Sequence, residues 1–402
     1  MYDLIIRDAT IVSSQGRIVA DVAIKDGVIA YVGPMVPNRG AKKEISAIGR
    51  FLIPGLIDTA VQFEQADNPE SWTQESKAAV SGGITTVLAL PNQKVPVVDT
   101  ITAKKQLKRA KGKSWCNYGL WGAALYNNAR ELEKCHQEGL IHGVFMLVDE
   151  EPEPFGVRPD EINAFNGHPS VLAMSLPNIT QEKGIRTLLG SFKDAEKKVH
   201  MLHMTTQEEL QLLDPVRGNV AVTGGVTPHH LFLSEDEVDV HAPRFSNTNV
   251  CAEQDRRGLW AAVKRGRMNC ISSSHSPLTA DPHGIPGSEL LFSLMMSAVN
   301  SGNLTLERLV SLCCEAPAKI FNLETKGKIE KGMDADLVLF SEGVMNRIES
   351  GDLLSSASWS PYLNKEMAPK PELVIVAGEP ICQGGSLIPD TPSGRWIGSE
   401  TA

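Results

Sequence analysis

Between about residues 51 and 330, short apolar runs alternate with longer helical stretches, and no other feature restricts the fold as much. Thr85-Thr86-Val87-Leu88-Ala89-Leu90, Gly143-Val144-Phe145-Met146-Leu147-Val148, Val199-His200-Met201-Leu202-His203 and Asn269-Cys270-Ile271 read as strands. Trp72 to Ser81, Ala103 to Ala110, Ala252 to Arg265 and Thr305 to Leu312 read as helices. An α/β alternation of this extent suits a TIM-type (β/α)8 barrel, whose usual size is about 250 residues. An open doubly wound sheet is the structural rival, but no G-x-G-x-x-G follows a strand to support it.

The two chain ends have a different pattern. Leu4-Ile5-Ile6, Thr10-Ile11-Val12, Val22-Ala23-Ile24 and Val28-Ile29-Ala30-Tyr31-Val32 are β-rich runs. They are parted by turn signals at Ser14-Gln15-Gly16, Lys25-Asp26-Gly27 and Gly33-Pro34. Strands this short need a partner sheet. Leu337-Val338-Leu339-Phe340, entered through Gly332-Met333-Asp334-Ala335-Asp336, and Leu373-Val374-Ile375-Val376-Ala377-Gly378 can supply it. The division expected is a small β-sandwich domain from residues 1–50 and 331–402, flanking a barrel over 51–330. Pro389 to Ala402, rich in Gly, Pro, Ser and Thr, reads as a loose tail.

The composition, 42% hydrophobic and 22% charged over 402 residues, is that of an ordinary globular protein. A net charge of −9 argues against a general nucleic-acid binder, and no Lys/Arg-rich tract, RNA-binding motif or helix-turn-helix signature is read here. The start, MYDLIIRDATIVSS, interrupts its apolar residues with charges, unlike a signal peptide, and no apolar run reaches the ~20 residues that span a bilayer. Seven scattered cysteines (Cys116, Cys135, Cys251, Cys270, Cys313, Cys314, Cys382) without C-x-x-C spacing read as buried, reduced thiols. These features point to a cytoplasmic protein with no membrane partner.

Six segments carry a resemblance. Phe51-Leu52-Ile53-Pro54-Gly55-Leu56-Ile57-Asp58, Lys77-Ala78-Ala79-Val80-Ser81-Gly82-Gly83-Ile84-Thr85-Thr86-Val87 with Leu90-Pro91-Asn92, and Val226-Thr227-Pro228-His229-His230-Leu231 are three of them. Gly284-Ile285-Pro286-Gly287-Ser288-Glu289, Ala316-Pro317-Ala318-Lys319-Ile320-Phe321-Asn322-Leu323, and Lys326-Gly327-Lys328-Ile329 through Asp336 complete the set. In this order they resemble the dihydroorotase, hydantoinase and allantoinase branch of the amidohydrolase superfamily. The resemblance is specific for the fold; a fold alone does not establish activity.

Opening a cyclic amide needs an activated water, a Lewis acid on the carbonyl and a proton donor for the leaving nitrogen. The resemblance implies one or two divalent metals at the strand ends, held by imidazole, carboxylate or carbamylated lysine. The family's first ligand pair, H-x-H, falls on Ala60 and Gln62. Its bridging lysine falls on Phe145 or Met146, and its fifth-strand histidine on Ser175. Ser274 stands where the family has an aspartate that is both ligand and general acid/base, and a hydroxyl cannot shuttle protons near neutral pH. Of the metal set, only His203 matches. The family's substrate-carboxylate arginine is Glu64 here, an anion in place of a bidentate cation. Asn92, His203, Asn247, Ser274 and His275 remain as lining of a vestigial pocket.

The resemblance therefore implies an inactive dihydroorotase homologue of pyrimidine biosynthesis, with no cofactor, acting as a structural partner of aspartate transcarbamoylase, as a homo-oligomer, or both. An active cyclic amidase is the alternative. In it Glu64, Asp67, His200, His203, His229, His230 and His275 are the residues from which a single-zinc centre would be rebuilt. A third class is a non-catalytic scaffold resembling the dihydropyrimidinase-related proteins, which carry a longer tail than this chain.

Overall fold

The protein is described here by a computed structural model that covers residues 1–36, 40–63, 68, 70–91, 95–148, 156–165, 190, 198–213, 221–238, 250–277, 284–357 and 359–398, with the backbone of 171–175. The chain begins in a sheet. β1 (Tyr2–Ser13), β2 (Gly16–Lys25), β3 (Val28–Gly33), β4 (Ala41–Ser46) and β5 (Phe51–Pro54) come from its start. β1 changes partner along its length: Tyr2 to Arg7 runs beside β4, and Thr10 and Ile11 beside β5. The switch falls on a bulge where Asp8 has φ +54°, a conformation that an aspartate tolerates better than most residues.

Eight further strands follow in chain order: β6 (Leu56–Val61), β7 (Ile84–Ala89), β8 (Asn117–Ala123), β9 (Gly143–Leu147), β10 (Val171–Ser175), β11 (Lys198–Met201), β12 (Ala221–Val226) and β13 (Cys270–Ile271). Each lies beside the next, all parallel. A parallel bridge between Val61 and His275, with Gln62 N–H donating to His275 C=O at 2.8 Å, brings the last strand back to the first. The curled sheet is thus a closed barrel, and its closure is what sets the strand ends in one ring.

Helices α1 (Ser71–Ser81), α2 (Thr100–Ala110), α3 (Ala129–Gln137), α4 (Gln207–Leu213), α5 (Pro228–Phe232), α6 (Glu253–Lys264), α7 (Leu291–Asn300) and α8 (Leu306–Val310) follow the strands. α2 starts where Asp99 accepts from Thr102 N–H at 2.7 Å, a capping box that explains its sharp onset. The helix expected to end at Leu312 instead widens into a π turn, Ser311–Glu315, before α9 (Ala316–Ile320). Pro317 lacks the N–H that would continue the regular ladder, which accounts for the widening.

The chain returns to the sheet with β14 (Leu337–Phe340), antiparallel to β5. A separate two-stranded pair, β15 (Asn346–Arg347) with β16 (Glu366–Met367), precedes β17 (Leu373–Val376), β18 (Glu379–Gln383) and β19 (Ser386–Leu387). Among the described residues the order is β19-β18-β17-β14-β5-β1-β2-β3, with β4 beside β1. Leu4, Ile6, Val22, Ile24, Leu52, Leu337, Leu339 and Ile375 form its apolar core. Buried Lys326 ties sheet to barrel: it donates to Asp334 and Asp336 at 3.0 and 2.5 Å, while Asp336 also accepts from Asn117 and from Ala377 N–H.

Two expectations are corrected. The segment up to residue 398 is not a loose tail. Tyr118 N–H donates to Arg395 C=O (2.9 Å), Ile397 N–H to Tyr118 C=O (3.1 Å) and Arg395 N–H to Asn117 Oδ1 (3.1 Å). Gly394 has to be glycine for this approach, because a Cβ there would lie 2.0 Å from Cys116 C=O. Small and turn-forming residues here serve close docking, not disorder. The chain also does hold a basic tract: Lys104, Lys105, Lys108, Arg109, Lys111 and Lys113 fall within ten residues that contain no acid.

Candidate functional site

The strand ends that the resemblance selects lie at the barrel mouth, and strand alternation decides what each one presents. Phe145 and Met146 point to opposite sides of β9. Phe145 packs in the barrel interior with Ile57, Ala60, Leu88, Leu90, Trp121 and Ala123, whereas Met146 belongs to the shell between strands and helices. Phe145 is therefore the residue facing the barrel axis. Trp121 is fixed there by donating from Nε1 to Thr59 C=O at 2.9 Å, and stands edge-on to Phe321 at 5.2 Å. The interior beneath the mouth is filled by aromatic rings and aliphatic groups.

Ala60 is fully buried in this cluster and offers only a methyl group. Gln62 uses its side-chain carbonyl to accept from Ser276 Oγ at 3.0 Å, a bond between the first strand and the segment after the last. Ser274 is part-exposed, with φ +51°, a left-handed backbone that costs a non-glycine residue about 1 kcal/mol. Ser175 is placed by its backbone alone, opposite Leu147 at the end of β10. Glu64, Asp67, Asn92 and Asn247 lie outside the described residues.

His203 follows β11 and sits 6.5 Å, ring to ring, from His230. Burial, with smaller contributions from His230 and His200, pushes its imidazole down to about 3, so it is neutral. Its Nε2 has no hydrogen-bond partner among the described residues. His200 and His229 are likewise pushed to about 3 by burial. Each uses Nδ1, with Thr223 Oγ1 at 2.8 Å and Tyr362 Oη at 2.9 Å. His230 Nδ1 lies 2.8 Å from Thr227 Oγ1. Gly225 makes room for His200, since a Cβ there would sit 2.9 Å from its Nε2.

His275 is held elsewhere. Gly287 N–H donates to its Nδ1 at 3.1 Å, which leaves the Nε2 proton directed at Glu75 on α1, 3.0 Å away. Both side chains are fully buried. Glu75 also accepts from Ser355 Oγ and Ser356 N–H at 2.8 and 3.1 Å. Burial pushes this carboxyl up, but the combined pull of His275, Ser356 and Ser355 outweighs it and leaves Glu75 below the usual carboxylate range. The structure thus gives His275 to a junction of α1, the eighth strand end and the returning chain.

Two of these residues had signals in the sequence that pattern reading passed over. Glu75 falls among Trp72, Ser76, Ala79 and Val80 on the buried face of α1, and a carboxylate on an apolar helix face implies a partner. Asp58 closes the Pro-Gly-Leu-Ile-Asp segment. It accepts from Ser273 N–H at 2.9 Å, stitching first strand to eighth, and burial pushes it up to about 6.

At the positions that the resemblance assigns to metal ligands, the side chains are a methyl, an amide, a phenyl ring and a hydroxyl, where a divalent metal needs imidazoles and carboxylates. Among the described residues no three His, Cys, Asp or Glu side chains converge to hold a metal ion. These residues do not fit the metal centre that the fold implies. No described helix is long and apolar enough to cross a membrane.

Comparison with known proteins agrees with the architecture. The chain is 30% identical to a dihydroorotase of Pyrococcus horikoshii, over 94% of this chain and 92% of that one. It is 26% identical to an allantoinase of Rubrobacter xylanophilus, over 98% and 97%. The solved L-hydantoinase (dihydropyrimidinase) of Arthrobacter aurescens superposes with a TM-score of 0.93 at 23% identity, covering 99% of this chain and all of that one, and shows the shared fold. The family model described as "Amidohydrolase family" matches residues 51–380, and the chain belongs to that family, in the branch of dihydroorotases, hydantoinases and allantoinases.

Proposed function

We propose that this chain is a dihydroorotase-like protein that does not hydrolyse cyclic amides and serves as a structural partner, with aspartate transcarbamoylase as the partner. The observation that carries the first half is Phe145. Its ring belongs to the same buried apolar cluster of the barrel interior as Ala60, so both of these strand positions present carbon. Hydrolysis at neutral pH would need a water acidified well below its ordinary pKa and a group to relay its proton. Neither Ser274 nor Gln62 can do either. His200, His203 and His229 stay neutral, and His200 and His229 are each held through Nδ1 by a framework hydroxyl, which supports reading those two as framework.

The second half rests on the resemblance to inactive dihydroorotase subunits. A fully formed barrel and sheet alongside an unsuitable donor set is what selection for assembly would keep. Two measurements test the reading. Hydrolysis of dihydroorotate, hydantoin and allantoin by the purified chain, with and without added zinc, should stay at the background rate. The transcarbamoylase from the same cells should co-purify with this chain and lose assembly when it is deleted; turnover in the first, or independence in the second, would overturn the corresponding half.

A further inference from the structure

α2 is unlike the rest of the surface. The tract from Lys104 to Lys113, which runs from α2 into the turn after it, holds six of the 39 Lys and Arg, so the remainder of the chain sets 33 cations against 48 acids, a net −15. Lys104 pairs with Glu138 and Lys113 with Glu70. Lys105, Lys108 and Lys111 are exposed and form no ion pair with a described residue. Lys105 and Lys108 lie three residues apart on α2, and Lys111 follows at its C-terminal cap. Ile101, one turn before Lys105, is 76% exposed, and Tyr126, just ahead of α3, is 68% exposed. Exposed Tyr and Ile beside a lysine row suit contact with another protein surface, where apolar anchors are ringed by charge.

The complementary surface is on the same molecule. Glu235, Asp236 and Glu237 are three consecutive exposed acids in the turn between α5 and α6, and Glu237 also pairs at 3.5 Å with exposed Lys365. α2 lies between the second and third barrel strands, and this turn follows the seventh, so the two face opposite sides of the ring. We infer that copies of this chain associate head to tail, the lysine tract at α2 on one copy meeting the Glu235–Glu237 turn of the next. A two-fold pairing of α2 with α2 would set lysines against lysines. The contact is therefore heterologous, and contacts on opposed faces give an open chain or a wide ring.

Sedimentation velocity of the full chain tests this. At low salt and tens of micromolar protein, assemblies beyond a dimer are expected. Raising salt from about 50 to 500 mM should weaken them about tenfold or more, because exposed charges are screened within a Debye length. The triple variant Lys105→Glu, Lys108→Glu, Lys111→Glu and the triple variant Glu235→Lys, Asp236→Lys, Glu237→Lys should each lose them, with thermal unfolding unchanged because all six residues are exposed. Mixing the two variants should restore association, since each reversed face then meets its reversed partner. Wild-type assembly that is absent, insensitive to salt or unchanged in either variant overturns the proposal. So does a wild type that stays monomeric while its lysine tract binds heparin or duplex DNA.

Discussion

A histidine that is buried and neutral in the folded chain regains its affinity for protons once the chain unfolds, so acid favours the unfolded state. His200, His203 and His229 are held near 3 and His142 near 4, in each case mainly by burial. Below about pH 6.5 the unfolded chain binds these protons and the folded chain does not, at about 1.4 kcal/mol per pH unit for each histidine. Asp58 works in the other direction: its folded value of about 6 lies above its unfolded one, so its contribution is present at low pH and lost as pH rises through 6. Four groups outweigh one, and stability from urea titrations should fall steadily between pH 6.5 and 4. A flat profile across that window would show that the imidazoles are accessible to protons in the native state. Glu75 offers a second test. Removing a buried carboxylate that receives three hydrogen bonds should cost about 3 kcal/mol in Glu75→Ala, and clearly less in Glu75→Gln, which keeps an acceptor for His275. Equal losses would mean that shape, not charge, holds the junction.

Among the elements, β9 and the final segment make the sharpest predictions. Phe145→Ala should destabilise the barrel by about 3–5 kcal/mol, as truncation of a buried aromatic does, without creating metal affinity. Ending the chain at residue 388 should remove the backbone bonds of Arg395 and Ile397 together with Trp396, and so uncover Tyr118 and His142, against which Trp396 packs. A fall of several degrees in the thermal midpoint checks it, and an unchanged midpoint would restore the loose tail. These elements also show what a linear reading could and could not reach. Strand and helix positions from Thr85 to Thr305 follow from local periodicity, which survives in the sequence. Whether Phe145 or Met146 faces the axis depends on the phase of one strand against its neighbours, and no local pattern fixes that. Gly- and Pro-rich composition at 389–398 suggested disorder, because composition cannot tell a flexible glycine from one demanded by a close backbone contact. The basic tract at α2 was masked by a net charge that averages over 402 residues.

At the scale of the whole molecule, the amidohydrolase barrel and its sheet are complete, with closure through Val61, Gln62 and His275 and a floor made by Phe321 and the docked terminal segment. The sheet joins both chain ends through β5 and β14, so folding must bring residues some 280 apart into register before the barrel is capped. Here the first strand and the segment after the eighth are held by hydrogen bonds that Asp58 and Gln62 accept from Ser273 N–H and Ser276 Oγ, a cross-link that needs no ion. The central claim is that this mouth does not hold a catalytic metal. Its most direct test is the zinc content of the full chain, purified from zinc-supplemented cells and dialysed without chelator. The account predicts well under about 0.1 zinc per chain, because a lone imidazole binds the ion weakly. About one zinc per chain, retained through dialysis, would contradict it.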